Sequence, residues 1–144
     1  MLIKTLIPVS LEVDVLLGDL IGEFKGKNSA YRVLSDGKTE VSGQGTGKIL
    51  GVEATMVFTA VSTVMPNGVF RGEGNGQIWT RDGDIIMVKM TSISWSSEKG
   101  GITRSASFQT TQSQKLSRLN KVIGLHETET EMNDNWTTKI WEWK

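Results

Sequence analysis

Leu11, Val13, Val15 and Leu17 alternate with Glu12 and Asp14, and Leu20, Gly22, Phe24 and Gly26 carry the same rhythm onward. A period of two marks a strand with one buried and one wet face. Long runs rich in Val, Ile, Thr, Phe and Trp follow at residues 52–64, 69–80, 84–95, 102–111 and 121–132. These are the residues that fit a pleated, half-buried surface. Turn formers punctuate them: Ser35-Asp36-Gly37, Met65-Pro66-Asn67-Gly68, Arg81-Asp82-Gly83, Glu98-Lys99-Gly100-Gly101 and Asn133-Asp134-Asn135. Gly, Asn and Asp supply the backbone conformations that tight turns demand, so the pattern predicts successive antiparallel hairpins.

The middle turns fall about 15 residues apart, wider than the roughly 8 to 12 of immunoglobulin-type sandwiches. Long strands joined by tight turns predict an all-β fold, an antiparallel up-and-down barrel of about eight strands. Closure also removes the unpaired apolar edges that would otherwise invite aggregation. The boundaries within residues 38–50 are not marked by the pattern. One segment breaks the β rhythm: Ser113 can cap, Leu116 and Leu119 stand three apart, and Lys115, Arg118 and Lys121 face elsewhere, which predicts a single helical turn.

Composition narrows the picture further. At 144 residues and 15.8 kDa the chain is read as one domain over residues 1–144. Sixteen Lys and Arg balance sixteen Asp and Glu, so no long-range field or basic patch draws nucleic acid or anionic lipid, and neither is expected as a partner. The absence of Cys removes disulfides, thiolate nucleophiles and Cys-ligated metals, and leaves any metal site to carboxylates and a single imidazole. No cofactor or metal is expected. Pro8, Glu12, Asp14 and Asp19 interrupt the apolar opening, which is read as no signal peptide, and no run is long enough for a spanning helix. A cytoplasmic protein follows as the expectation, which makes the Asn135-Trp136-Thr137 glycosylation triplet incidental.

Few motifs carry chemistry. The alternating glycines of Gly43-Gln44-Gly45-Thr46-Gly47 and Gly72-Glu73-Gly74-Asn75-Gly76 complete no phosphate-loop pattern; they read as one face of a coiled strand where the barrel bends or another backbone comes close. In the run from His126 to Glu131, Glu127, Glu129 and Glu131 share one strand face and His126 takes the other. The carboxylate row reads as a solvated face, and His126 as a polar residue beside Val122 and Gly124 with an ordinary hydrogen-bond partner. A serine triad built on the single His finds no elbow motif to support it.

Charges that share a face with apolar residues are more informative. Arg104 alternates with Ile102, Ala106 and Phe108, and Glu127 follows Ile123 and Leu125. If those faces point into the barrel, both are partly buried charges that persist only when paired or bound to a ligand; if they do not, they are rim charges in solvent. Residues 84–95 are apolar on both faces, with Ile86, Val88 and Met90 on one and Ile85, Met87, Ile93 and Trp95 on the other. One face would fill the barrel, and the other implies a homo-oligomer built on the outer wall. The tryptophans, concentrated at Trp136, Trp141 and Trp143, read as core or interface.

Several segments together carry a resemblance: Arg32-Val33-Leu34, Gly47-Lys48-Ile49-Leu50-Gly51-Val52-Glu53, the Gly72 to Gly76 alternation, Asp82-Gly83-Asp84, Lys115-Leu116 with Leu119-Asn120, and Trp141-Glu142-Trp143. From about Gly22 onward the chain resembles small uncharacterised prokaryotic β-barrel proteins, and more loosely the calycin-like barrels that include allene oxide cyclase and the lipocalins. The resemblance implies a barrel able to hold a small apolar molecule and carries over no functional residue. The leading expectation is a non-catalytic barrel that binds a small hydrophobic ligand, with Met56, Phe58, Met90 and Phe108 as lining and Arg104 and Glu127 as polar handles. The alternatives are an allene oxide cyclase-like isomerase or cyclase assisted by Glu127, and a structural oligomerisation module with a packed lumen.

Overall fold

A computed structural model describes residues 17–144; the alternation of Leu11, Val13 and Val15 lies outside the described residues. Eight strands follow one another: β1 Leu17–Val33, β2 Lys38–Ile49, β3 Val52–Val64, β4 Val69–Thr80, β5 Ile85–Ser97, β6 Gly100–Thr111, β7 Ile123–Glu131 and β8 Asn135–Trp143. Each pairs antiparallel with the next, and β1 pairs with β8 from Leu17↔Trp143 to Lys27↔Asn135, closing the barrel. The up-and-down barrel expected from the sequence is therefore the observed fold. Among the described residues the helical content is limited to 3₁₀ turns at Pro66–Gly68 and Ser117–Lys121, the second falling where the β rhythm fails. Among the described residues no helix is long and apolar enough to cross a membrane.

The five turn signals fall at strand connections, and a sixth sits inside the stretch the pattern could not bound. Leu50 and Gly51 adopt φ of 47° and 78°, a two-residue hairpin between β2 and β3. Two successive positive φ values match the right-handed twist of the flanking strands; Leu50 adopts one despite its Cβ, which is why its composition did not advertise a turn.

An eight-stranded barrel is only just wide enough for inward side chains to meet. The glycine alternations are the consequence. Trp136 stands opposite Gly26, Phe58 opposite Gly43 and Gly76, and Met90 opposite Gly74. A Cβ on Gly26 would lie 2.6 Å from the indole of Trp136 and 2.1 Å from the carbonyl of Gln44, so both the large ring and the close β1–β2 approach depend on its absence.

The two ends of the lumen differ. At the end holding the Leu50-Gly51 turn, Phe24, Ile49, Ile78 and Ile86 fill the barrel, and Leu116 and Leu119 close it from below, all at 2% exposure or less. Polar groups pin this cap. Asn120 Oδ1 accepts from the Thr111 amide at 2.8 Å, and its Nδ2 donates to the Thr111 carbonyl at 3.0 Å. Arg118 bridges Asp19 on β1 and Glu142 on β8, at 2.8 and 2.6 Å. The opposite end is open.

Candidate functional site

The open half of the lumen holds a cavity of about 150 Å³. Its deeper wall is apolar, formed by Met56, Phe58, Met90 and Trp136, with Phe58 and Trp136 edge to face at 5.7 Å between centroids. Towards the mouth the wall becomes hydroxyl-rich through Ser62, Ser92, Ser94, Thr103, Thr128 and Thr130. Small β-branched and hydroxyl side chains leave room that Ile or Phe would occupy, so the opening follows from their size. At the rim Tyr31 donates a hydrogen bond to Asp134, tying β1 to the β7–β8 turn.

His126 lies at the floor. Its Nε2 is 2.8 Å from the hydroxyl of Ser107, which also accepts a hydrogen bond from the Gln109 side-chain amide. Burial disfavours the charged imidazolium and pushes its pKa down to about 4, so the ring is neutral at pH 7. Two buried polar atoms among the described residues have no partner, Gln109 Oε1 and Trp136 Nε1.

Of the six residues expected to bind a ligand, the structure brings Met56, Phe58 and Met90 to the cavity. Arg104, Glu127 and Phe108 lie on the outer wall instead, Phe108 at 62% exposure. Arg104 and Glu127 stand directly opposite each other on β6 and β7, 3.8 Å apart and about half exposed, and Glu127 also accepts a 2.7 Å hydrogen bond from the Trp141 indole. They are the solvent-side charges of the second expectation, not handles within the lumen. The reason lies in β6, where Ser105, Ser107, Gln109 and Thr111 face inward and the more apolar set with Arg104 faces out. The carboxylate row of Glu127, Glu129 and Glu131 is solvated as expected, and none of these carboxylates reaches the cavity.

No family model matches the chain, and no curated protein matches it. Solved structures with the same fold do. A conserved protein of unknown function from Rhodopseudomonas palustris superposes with a TM-score of 0.75 at 12% identity, over 88% of this chain and 96% of that one. A beta-barrel like protein from Acinetobacter baumannii gives 0.74 at 15% identity, over 89% and 95%. An enzyme from Penicillium herquei gives 0.59 at 20% identity, over 86% and 93%. At these identities the likeness establishes a shared barrel.

Sequence reasoning did not rank His126, Trp136 or the Ser and Thr ring as site residues. For His126 a signal was present: Val122, Gly124 and His126 share one strand face, and all three are buried. For the hydroxyl ring there was none, because Ser and Thr at alternate positions read equally well as an exposed face.

Proposed function

We propose that the barrel binds one small, uncharged organic molecule in the open half of its lumen, and that it is a binding protein and not an enzyme. The observation that carries this reading is the cavity: side chains pack the closed half completely and leave about 150 Å³ in the other. A volume of that order accepts a molecule the size of benzene. The apolar deeper wall and the hydroxyl mouth favour a ligand with an apolar body and a polar end, less purely hydrophobic than the sequence suggested. The calycin-like resemblance supports the same reading. A carboxylate-assisted cyclase loses its residue, because Glu127 is outside; the Penicillium herquei enzyme shares the barrel and no more than 20% of the sequence.

The test is native beside denaturing mass spectrometry of gently purified protein, joined to NMR titration with toluene and cyclohexanone. The expected result is a retained mass lost on denaturation, or probe-induced shifts of the Met56 and Met90 methyls that Ser92→Phe, which fills the mouth, abolishes. The absence of both a retained mass and any probe-induced shift would overturn the proposal.

A second reading concerns the outer wall. Ile85, Met87, Ile93 and Trp95 are 39 to 54% exposed along β5, which supports self-association through that strand. Sedimentation of the native chain beside Trp95→Glu checks it: an oligomer that becomes monomeric upholds the reading, and a native monomer ends it.

A further inference from the structure

Among the described residues that line the cavity, His126 is the one with an ionisable side chain, and its hydrogen bonds bear on which nitrogen carries the proton. Ser107 is fully buried, with its hydroxyl against two groups, the Gln109 side-chain amide nitrogen and His126 Nε2. The amide nitrogen only donates, so the Ser107 O–H has one acceptor available, Nε2 of the imidazole. With Ser107 donating to Nε2, that nitrogen is the unprotonated one and the ring proton is on Nδ1. Nδ1 makes no hydrogen bond among the described residues. The ring belongs to a residue that lines the cavity.

Resting on the binding reading above, we propose that the Nδ1–H of His126 is the selectivity donor of the lumen. It chooses neutral molecules that carry an acceptor oxygen, of the ketone or ether class, over hydrocarbons of the same shape and over carboxylates. A hydrocarbon would leave the N–H buried without a partner, which costs the desolvation of that group. A carboxylate would be stripped of water in a cavity where no described lining residue offers a cation. The low imidazole pKa is consistent with this, since the ring stays a neutral donor across physiological pH. The apolar body of the ligand would rest on Met56, Phe58 and Met90.

The chain has a single His, so protein labelled with ¹⁵N-histidine reports one imidazole. Long-range ¹H–¹⁵N spectra are recorded alone and with cyclohexanone, methylcyclohexane or cyclohexanecarboxylate. The expected result is an Nδ1–H tautomer at pH 7, with cyclohexanone shifting Nδ1 and binding about five- to tenfold more tightly than methylcyclohexane, the factor of one neutral hydrogen bond. His126→Phe should abolish that preference while still binding methylcyclohexane. An Nε2–H tautomer, or equal affinity for the two neutral probes in the native chain, overturns the donor role and leaves lumen binding standing. Binding of neither probe removes the lumen reading and this inference together. The tautomer is read on the native protein, so it decides the matter even where His126→Phe does not fold.

Discussion

At the closed end of the barrel, Ile49, Ile78, Ile86 and Leu119 are 1% exposed or less, whereas at the open end Ser62, Ser92, Ser94 and Thr128 surround a cavity. Backbone pairing runs unbroken through both ends along β3–β4 and β5–β6, whereas both pairings of β1 carry register shifts. What separates them is side-chain volume and polarity, together with the cap of Leu116 and Leu119. The closed end supplies the burial that holds the fold together, about 25 cal/mol for each Å² of apolar surface withdrawn from water. The open end is thereby released from packing and can keep hydroxyls, a neutral His and empty volume. The division resembles a scaffold and a site sharing one sheet.

The largest effect expected from breaking this division is at the cap. Leu119→Ala removes a fully buried side chain and should lower unfolding free energy by about 3 to 4 kcal/mol in chemical denaturation. A loss under 1 kcal/mol would mean that the cap is not part of the core. The pH dependence tests the boundary between the halves, where His126 lies. Its folded pKa of about 4 is below the ordinary 6.5, so the fold favours the neutral ring. That contribution is complete above pH 6.5, declines as pH falls towards 4, and amounts to about 3 kcal/mol at most. Comparing stability from pH 7 to pH 4 with that of His126→Gln should show the variant losing less over this window; parallel curves would remove His126 as the cause.

Smaller effects follow outward. Asn120→Ala breaks both hydrogen bonds that hold the cap to Thr111 and should cost about 1 to 2 kcal/mol, read as a lowered midpoint of thermal unfolding. Arg104→Ala on the outer wall should change stability by less than about 1 kcal/mol, as exposed ion pairs do, and leave probe binding in the lumen untouched. Weakened cyclohexanone binding in that variant would return Arg104 to the site. Ser94→Ala at the mouth should fall within about 0.5 kcal/mol of the native chain, and a larger loss would show the open end to be as tightly packed as the closed one.

The fold was largely legible because its determinants are local. Asp36-Gly37, Asn67-Gly68 and Gly83 announce turns through backbone chemistry, and all five residues have positive φ in the structure. Leu50 is the exception, a turn residue that carries no turn chemistry and is held there by the hairpin around it. The site was legible only in part. On β5 the reading of Ile86, Val88 and Met90 as one face succeeded, although nothing in the strand itself said which of its two apolar faces was the lumen. On β6 and β7 the more apolar faces, with Phe108 and Leu125, turned out to be the outer ones. Amphipathicity points inward only where the interior is a packed core. Here those strands line a hydroxyl-walled cavity, so the usual rule is inverted along part of their length.

The sequence by itself determined the strands, most of the turns and the antiparallel order that closes the barrel, because periodicity two and turn chemistry act over a few residues. Only the tertiary structure decided which face of each strand is inside, that Arg104 and Glu127 meet in solvent, and that His126 reaches a cavity beside Ser107. A period of two is unchanged when the two faces are exchanged, so the choice between them is made by how the volumes of all eight strands fit together around one axis.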